Sequence, residues 1–264
     1  MSIRRPSLRR LIQVASLAVV LVVALTGICR AMTLDEAKLK YALANEEYKN
    51  QKFKEARAHY QEIVDAGIKS PQVYYNLGNA CARLDDTGGA VLNYERARWL
   101  DPRNADLAAN LKKMAPSAND PDHFVLVAPF YFLLDRLTLR EWLGLFLVSF
   151  FAAGLAGFTL FALARNGSAN PAKWLFVITG TLAVVIGLFA GVRLLQAEYL
   201  RYYIVMKPNV TIFSGPSEKY SELLALPEGS KVRRVEFSDP DWAHVVLRDG
   251  RKGFVQAAKV SPIY

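Results

Sequence analysis

The chain has 264 residues, with 33 Lys and Arg against 24 Asp and Glu for a formal charge of +9, but Arg4, Arg5, Arg9, Arg10 and Arg30 all fall in its first 31 residues. Setting those five aside leaves about +4, with the basic residues interleaved among acids, which argues against a nucleic-acid-binding surface. There are 2 cysteines, and Cys29 lies in the same leader, so a disulfide framework is excluded.

Residues 1–31 have the layout of a secretory signal: a basic start followed by the apolar run Leu11 to Cys29. Cleavage after Ala31 and retention as an uncleaved N-terminal anchor both remain open. Either way the basic end stays in the cytoplasm and the chain beyond Ala31 is exported. Cys29 does not suit a lipoprotein cysteine, because Ile28 stands where a small residue is needed.

The first exported segment, 33–114, repeats itself. Leu43-Ala44 aligns with Leu77-Gly78, Asn45 with Asn79, Ala56 with Ala90 and Tyr60 with Tyr94, always at an offset of 34. Each unit predicts two antiparallel helices: Ala44 or Gly78 must be small for Ala56 or Ala90 to approach, and Tyr60 or Tyr94 fills the gap to the next unit. Tyr74, Leu77, Gly78, Ala90, Tyr94, Ala97 and Pro102 in the second unit resemble the tetratricopeptide repeat, with Pro102 ending the helix. The first unit is looser, with Ile63 and Ile68 at the places of Ala97 and Pro102. A closing helix over Ala105 to Met114 completes a short α-helical solenoid of two units plus a cap.

By that family's geometry the first helix of each unit lines a concave groove, and the partner-binding candidates are Tyr41, Asn45, Tyr48, Asn76, Asn79 and Arg83. Asn45 and Asn76 occupy places that some tetratricopeptide domains use to clamp a C-terminal carboxylate. Tyr41 and Asp106 stand where the clamp needs lysines, so another mode of peptide binding is expected. The alternative is that these side chains only solvate the face.

A linker and interfacial segment, 115–141, follows, with Pro116 to Asp122 polar and Phe124 to Leu134 apolar but interrupted by Pro129. Thr138 and Glu141 have capping-box spacing. From Trp142 to Ala164, and again from Trp174 to Val192, no side chain is charged. About 20 apolar residues span a bilayer core, so 142–164 and 174–192 are predicted transmembrane helices joined by a cytoplasmic loop, 165–173. Ala153 and Gly157 on the first helix, and Gly187 and Gly191 on the second, provide small residues for close helix packing. Two crossings return the chain to its starting side, so 202–264 is exported as well.

That last segment changes period. Short β-rich runs at Tyr203–Met206, Val210–Phe213, Lys231–Phe237, Trp242–Leu247 and Gly253–Val255 alternate with turn signals, which predicts a small all-β barrel. Ser214-Gly-Pro-Ser, Leu226-Pro-Glu-Gly, Trp242, Asp249-Gly-Arg and Gly253-Phe-Val resemble the bacterial SH3-like domain. Some members of that family bind peptides or cell-wall stems, which makes Trp242 and Phe254 surface candidates; packing in the core is their alternative.

His59, His123 and His244 lie in no metal-ligand spacing, and neither a phosphate loop nor a nucleophile elbow is present. No catalytic residue, metal or cofactor is expected. Leader, tetratricopeptide repeats, paired spans and terminal SH3-like domain, in that order, resemble the BatE-like family of aerotolerance-operon proteins. The resemblance implies a membrane scaffold in the bacterial inner membrane with its repeat and SH3-like domains in the periplasm. It also implies protein partners of the von Willebrand A-domain membrane type and, indirectly, a MoxR-type AAA ATPase, in envelope stress tolerance. A peptidoglycan-binding module is the alternative.

Overall fold

The computed structural model describes residues 32–114, 134, 136–164, 170–199, 202–235, 239–247 and 250–263. The leader, residues 115–133 of the linker and interfacial segment, residues 165–169 of the predicted 165–173 loop and Asp249 lie outside the described residues, and the last four residues of that loop, 170–173, are helical.

Five helices come first: α1 (Leu34–Lys49), α2 (Phe53–Asp65), α3 (Pro71–Arg83), α4 (Thr87–Leu100) and α5 (Ala105–Met114). Their starts follow from local chemistry. Thr33 and Glu36 form a capping box on α1, Ser70 caps α3 with Pro71 in its first turn, and Asp86 caps α4 by accepting from the Gly89 amide at 2.8 Å. The turn inside each helix pair passes through a left-handed residue, Gln51 (φ 61°) and Asp85 (φ 58°), which are themselves one repeat apart. Ala44, Ala56, Leu77, Ala90, Tyr60 and Tyr94 are all buried between the helices. A Cβ on Gly78 would lie 2.6 Å from the Tyr94 ring, so α3 and α4 approach this closely only with glycine there.

Helices α6 (Leu139–Ala164) and α7 (Asn170–Tyr199) form an antiparallel pair, and both are long and apolar enough to cross a membrane. Thr138 and Glu141 make the capping box at the start of α6. The seam runs through Ser149, Ala156, Ala183 and Ala190, while Phe151, Phe158, Trp174 and Leu188 point outward. An apolar surface so continuous is stable only when lipid or another protein covers it.

Seven strands complete the fold: β1 (Tyr202–Val205), β2 (Val210–Phe213), β3 (Glu222–Leu226), β4 (Lys231–Arg234), β5 (Trp242–Val246), β6 (Lys252–Gln256) and β7 (Val260–Pro262). All pairings are antiparallel, in the order β3-β2-β6-β5-β4-β1-β7, and a short 3₁₀ turn (Ala257–Lys259) joins β6 to β7. The sequence pattern predicts a closed barrel; the sheet is open, with β3 and β7 as its edges. Helix α4 serves the β7 end instead: Arg96 donates to the carbonyls of Pro262 and Ile263 at 3.0 Å each.

That contact belongs to a larger one. Ile204 and Ile263 are buried in the same hydrophobic cluster as Tyr74, Leu77, Val91 and Tyr94, with Tyr202 and Met206 packed at its edge. Glu228, in the turn after β3, accepts from the Gly88 amide at 2.8 Å, placing a carboxylate at the N-terminus of α4, where the helix dipole favours it. Glu95, in mid-helix, bonds Arg98 (2.7 Å) and Lys231 of β4 (3.3 Å). The hairpin joins in: the Arg193 guanidinium lies 4.1 Å from the Trp99 ring centroid, and Arg103 pairs with Glu141 at 2.5 Å. Where the sequence suggests two separate modules flanking a membrane hairpin, the two are docked: Ile204 and Ile263 of the C-terminal segment complete the helical core, while the sheet keeps a second core of its own. That packing puts them on the same side of any membrane that α6 and α7 cross.

Gly88 sets the distance of this docking. Its Cβ would lie 2.9 Å from the Met206 Cα and 3.0 Å from the Val205 oxygen, and neither of these backbone atoms can yield. Gly88→Ala is expected to cost about 1–3 kcal/mol and to accelerate hydrogen exchange in α4 and β1 together. Unchanged exchange in either element would show that this approach does not hold the sheet.

Candidate functional site

The first helices of successive pairs, α1, α3 and α5, carry two identical polar rungs. Asn45 Oδ1 accepts from the Tyr60 hydroxyl (2.6 Å) and from Asn76 Nδ2 (2.9 Å), and Asn76 Nδ2 also reaches the Tyr41 hydroxyl (3.0 Å). One repeat later Asn79 Oδ1 accepts from the Tyr94 hydroxyl (2.7 Å) and Asn110 Nδ2 (3.2 Å), and Asn110 Nδ2 lies 3.4 Å from the hydroxyls of Tyr75 and Tyr94. Burial, reinforced by a neighbouring tyrosine, raises both Tyr60 and Tyr94 well above the ordinary phenol value, so both stay protonated and act as donors. The rungs thus join each unit to the next.

Three of the six groove candidates, Tyr48, Asn79 and Arg83, come together around a cleft of about 420 Å³. Ala82, Tyr94, Asn110, Lys113 and Met114 complete its lining. Tyr41, Asn45 and Asn76 form the neighbouring rung instead. The Arg83 guanidinium lies 5.6 Å from the Phe53 ring centroid, and Tyr48 meets Phe53 edge-on at 5.2 Å. Sequence reasoning missed Tyr75, Asn110, Lys113 and Met114. The repeat offset applied once more would have found the first two, since Tyr75 follows Tyr41, and Asn110 follows Asn76, by 34.

Trp242 and Phe254 belong to neither hydrophobic core. Register places Phe213, Phe254 and His244 side by side across β2, β6 and β5, on the face opposite Ala243, Val245 and Val255. His244 stacks on Phe254 at 4.5 Å and Trp242 meets Phe213 edge-on at 5.6 Å. Burial and then Lys252 lower the His244 pKa, favouring the neutral ring in this aromatic row.

The hairpin candidates divide. The place of a Cβ on Gly157 lies 3.0 Å from the Phe176 ring, and that on Gly187 lies 2.9 Å from the Phe146 ring, so each glycine accommodates an aromatic ring of the facing helix. Gly191 has nothing within 4 Å of that point, and the seam passes through Ala190 beside it. Ala153 is half-buried. Trp142 is buried, stacked on Phe189 at 4.9 Å with its indole N–H donating to the Leu134 carbonyl at 3.2 Å. Burial pushes the Cys81 thiol up to about 11, which keeps it an unreactive core residue.

No protein-family model matches the chain, and no curated protein matches it.

Proposed function

We propose that the chain is a non-enzymatic membrane-anchored scaffold whose groove, on a short tetratricopeptide solenoid, holds a segment of a partner protein. In this reading α6 and α7 anchor it in the bacterial inner membrane, with the solenoid and an SH3-like domain on the periplasmic side. The partners are those of a BatE-like protein: von Willebrand A-domain membrane proteins and, through them, a MoxR-type AAA ATPase in stress or aerotolerance. The observation that carries the reading is the open cleft at Tyr48, Asn79 and Arg83, which persists although the sheet covers α4 and the hairpin ties down Trp99 and Arg103. Repeating helix pairs with duplicated polar rungs support the solenoid, and the 3₁₀ turn before the last strand of a small antiparallel sheet supports the SH3-like assignment.

A peptidoglycan-binding module is the second reading, favoured by the half-exposed Trp242 and Phe254 on the outer face of the sheet. One experiment separates the two: crosslinking in cells, detergent purification of the tagged full chain, and identification of what co-purifies. Deleting the helices would strip Ile204 and Ile263 of their core, so the control is Ala82→Trp, which fills the cleft and leaves the rung residues unsubstituted. Recovery of von Willebrand A-type proteins from the wild type and their loss from Ala82→Trp is the expected result. Recovery of wall material alone would overturn the scaffold reading in favour of the second.

A further inference from the structure

The polar groups around the cleft are unbalanced in a way that specifies an occupant. Arg83 and Lys113 line it, and no carboxylate does. The nearby Asp86 is committed elsewhere, to the Gly89 amide (2.8 Å) and to Arg57 (2.9 Å). Asn79 spends its carbonyl on Tyr94 and Asn110, so its NH₂ group remains a donor with no hydrogen-bond partner among the described residues. The lining thus contains a guanidinium-bearing and an ammonium-bearing side chain, Arg83 and Lys113, and the Asn79 amide, beside Tyr48, Tyr94 and Met114. Such a surface offers hydrogen bonds and positive charge and asks for acceptors and negative charge. Its volume, about 420 Å³, suits a few side chains of an extended segment rather than a folded domain.

We propose that this cleft binds Asp or Glu side chains of an acidic, extended segment in a partner protein. The inference rests on the groove being a partner site and names the chemistry of that partner. The Arg83 guanidinium already rests over the Phe53 ring at 5.6 Å, and this cation–π contact restricts it before binding, so less side-chain freedom is lost on contact. Charge steering makes capture fast at low salt and weak at high salt.

The test uses the purified full chain in detergent and a fluorescent peptide of about ten residues. The peptide alternates Glu with apolar residues and is amidated at its C-terminus, so that only side-chain carboxylates are offered. Binding is expected to weaken about tenfold or more for the Gln counterpart, and by a similar factor for the double variant Arg83→Ala with Lys113→Ala. Both substituted side chains are exposed, so the helices keep their packing, which circular dichroism of the variant checks. Equal binding of the Glu and Gln peptides, no effect of the double variant, or binding only of peptides with a free C-terminal carboxylate would each overturn the proposal. If those results came while Ala82→Trp still abolished co-purification of partners, the groove reading would stand and only the acidic chemistry would fall.

Discussion

Replacing Lys231 by Met is expected to lower stability by about 2–3 kcal/mol, because it leaves a carboxylate buried between the helices and the sheet with half of its compensation gone. Glu95 is 6% exposed, and one of its oxygens receives both Arg98 and Lys231. Burial alone would raise its pKa, but the two cations outweigh burial and hold it below the ordinary value of 4.5. Arg98 remains in the variant but is itself partly exposed, so the loss falls at the low end for a broken buried pair. A group with a depressed folded pKa contributes stability that is fully present above pH 4.5 and is lost as pH falls through the folded value. Denaturant unfolding of the wild type should therefore show stability falling on acidification below that point, and Lys231→Met should flatten the fall. The double variant Glu95→Leu with Lys231→Met should recover most of the loss, since an apolar pair of similar volume needs no compensation. If the single variant cost under about 0.5 kcal/mol, or acid affected it and the wild type alike, the ionic contact would not be what holds the sheet to α4.

That contact marks where the sequence stopped being legible. The helix pairs could be read from spacing, because Ala44, Gly78, Ala56 and Ala90 state in their size which helix faces must touch. Helix α4 held a further sign: Gly88 to Leu92 run without a polar residue, wider than a single buried stripe, so its first half must be covered on more than one side, while Glu95, Arg96 and Arg98 supply its polar contacts later. What covers its second side, Ile204 and Ile263, lies more than a hundred residues downstream, and no local pattern names that pairing. Strand β3, Glu-Leu-Leu-Ala-Leu, is built of good helix formers and becomes a strand through its pairing with β2. Strand β7 is three residues long and ends in Pro262, tolerable only at a sheet edge. The groove residues were legible as types, but which of them would bond to one another and which would face the cleft depended on the third rung member, Asn110, on a helix read only as a cap.

Tyr94 carries the second large effect. It is 2% exposed, it fills the gap between units, and its hydroxyl anchors the rung that forms one wall of the cleft. Tyr94→Ala is expected to cost about 3–5 kcal/mol, the range for emptying an aromatic site in a packed core. Tyr94→Phe keeps the ring and should cost about 1–2 kcal/mol, since Asn79 keeps Asn110 as a donor while losing the better-placed one. Gly78 tests whether the ring is held rigidly. Ala44 occupies the equivalent place against Tyr60 in the first unit, so one methyl can be accommodated there. In the second unit the added Cβ would come within 2.6 Å of a ring tethered at its far end. Gly78→Ala should therefore cost about 1–3 kcal/mol in the wild type and much less in the Tyr94→Ala background, where the methyl enters vacated space. A double-mutant cycle by denaturant unfolding reads this directly: coupling of about 1 kcal/mol or more, with the pair less destabilised than the sum, is the expected result. Strict additivity would mean that the ring moves freely, in which case the rung could not preorganise the cleft and the tenfold effect expected of Arg83 and Lys113 would have to come from charge alone.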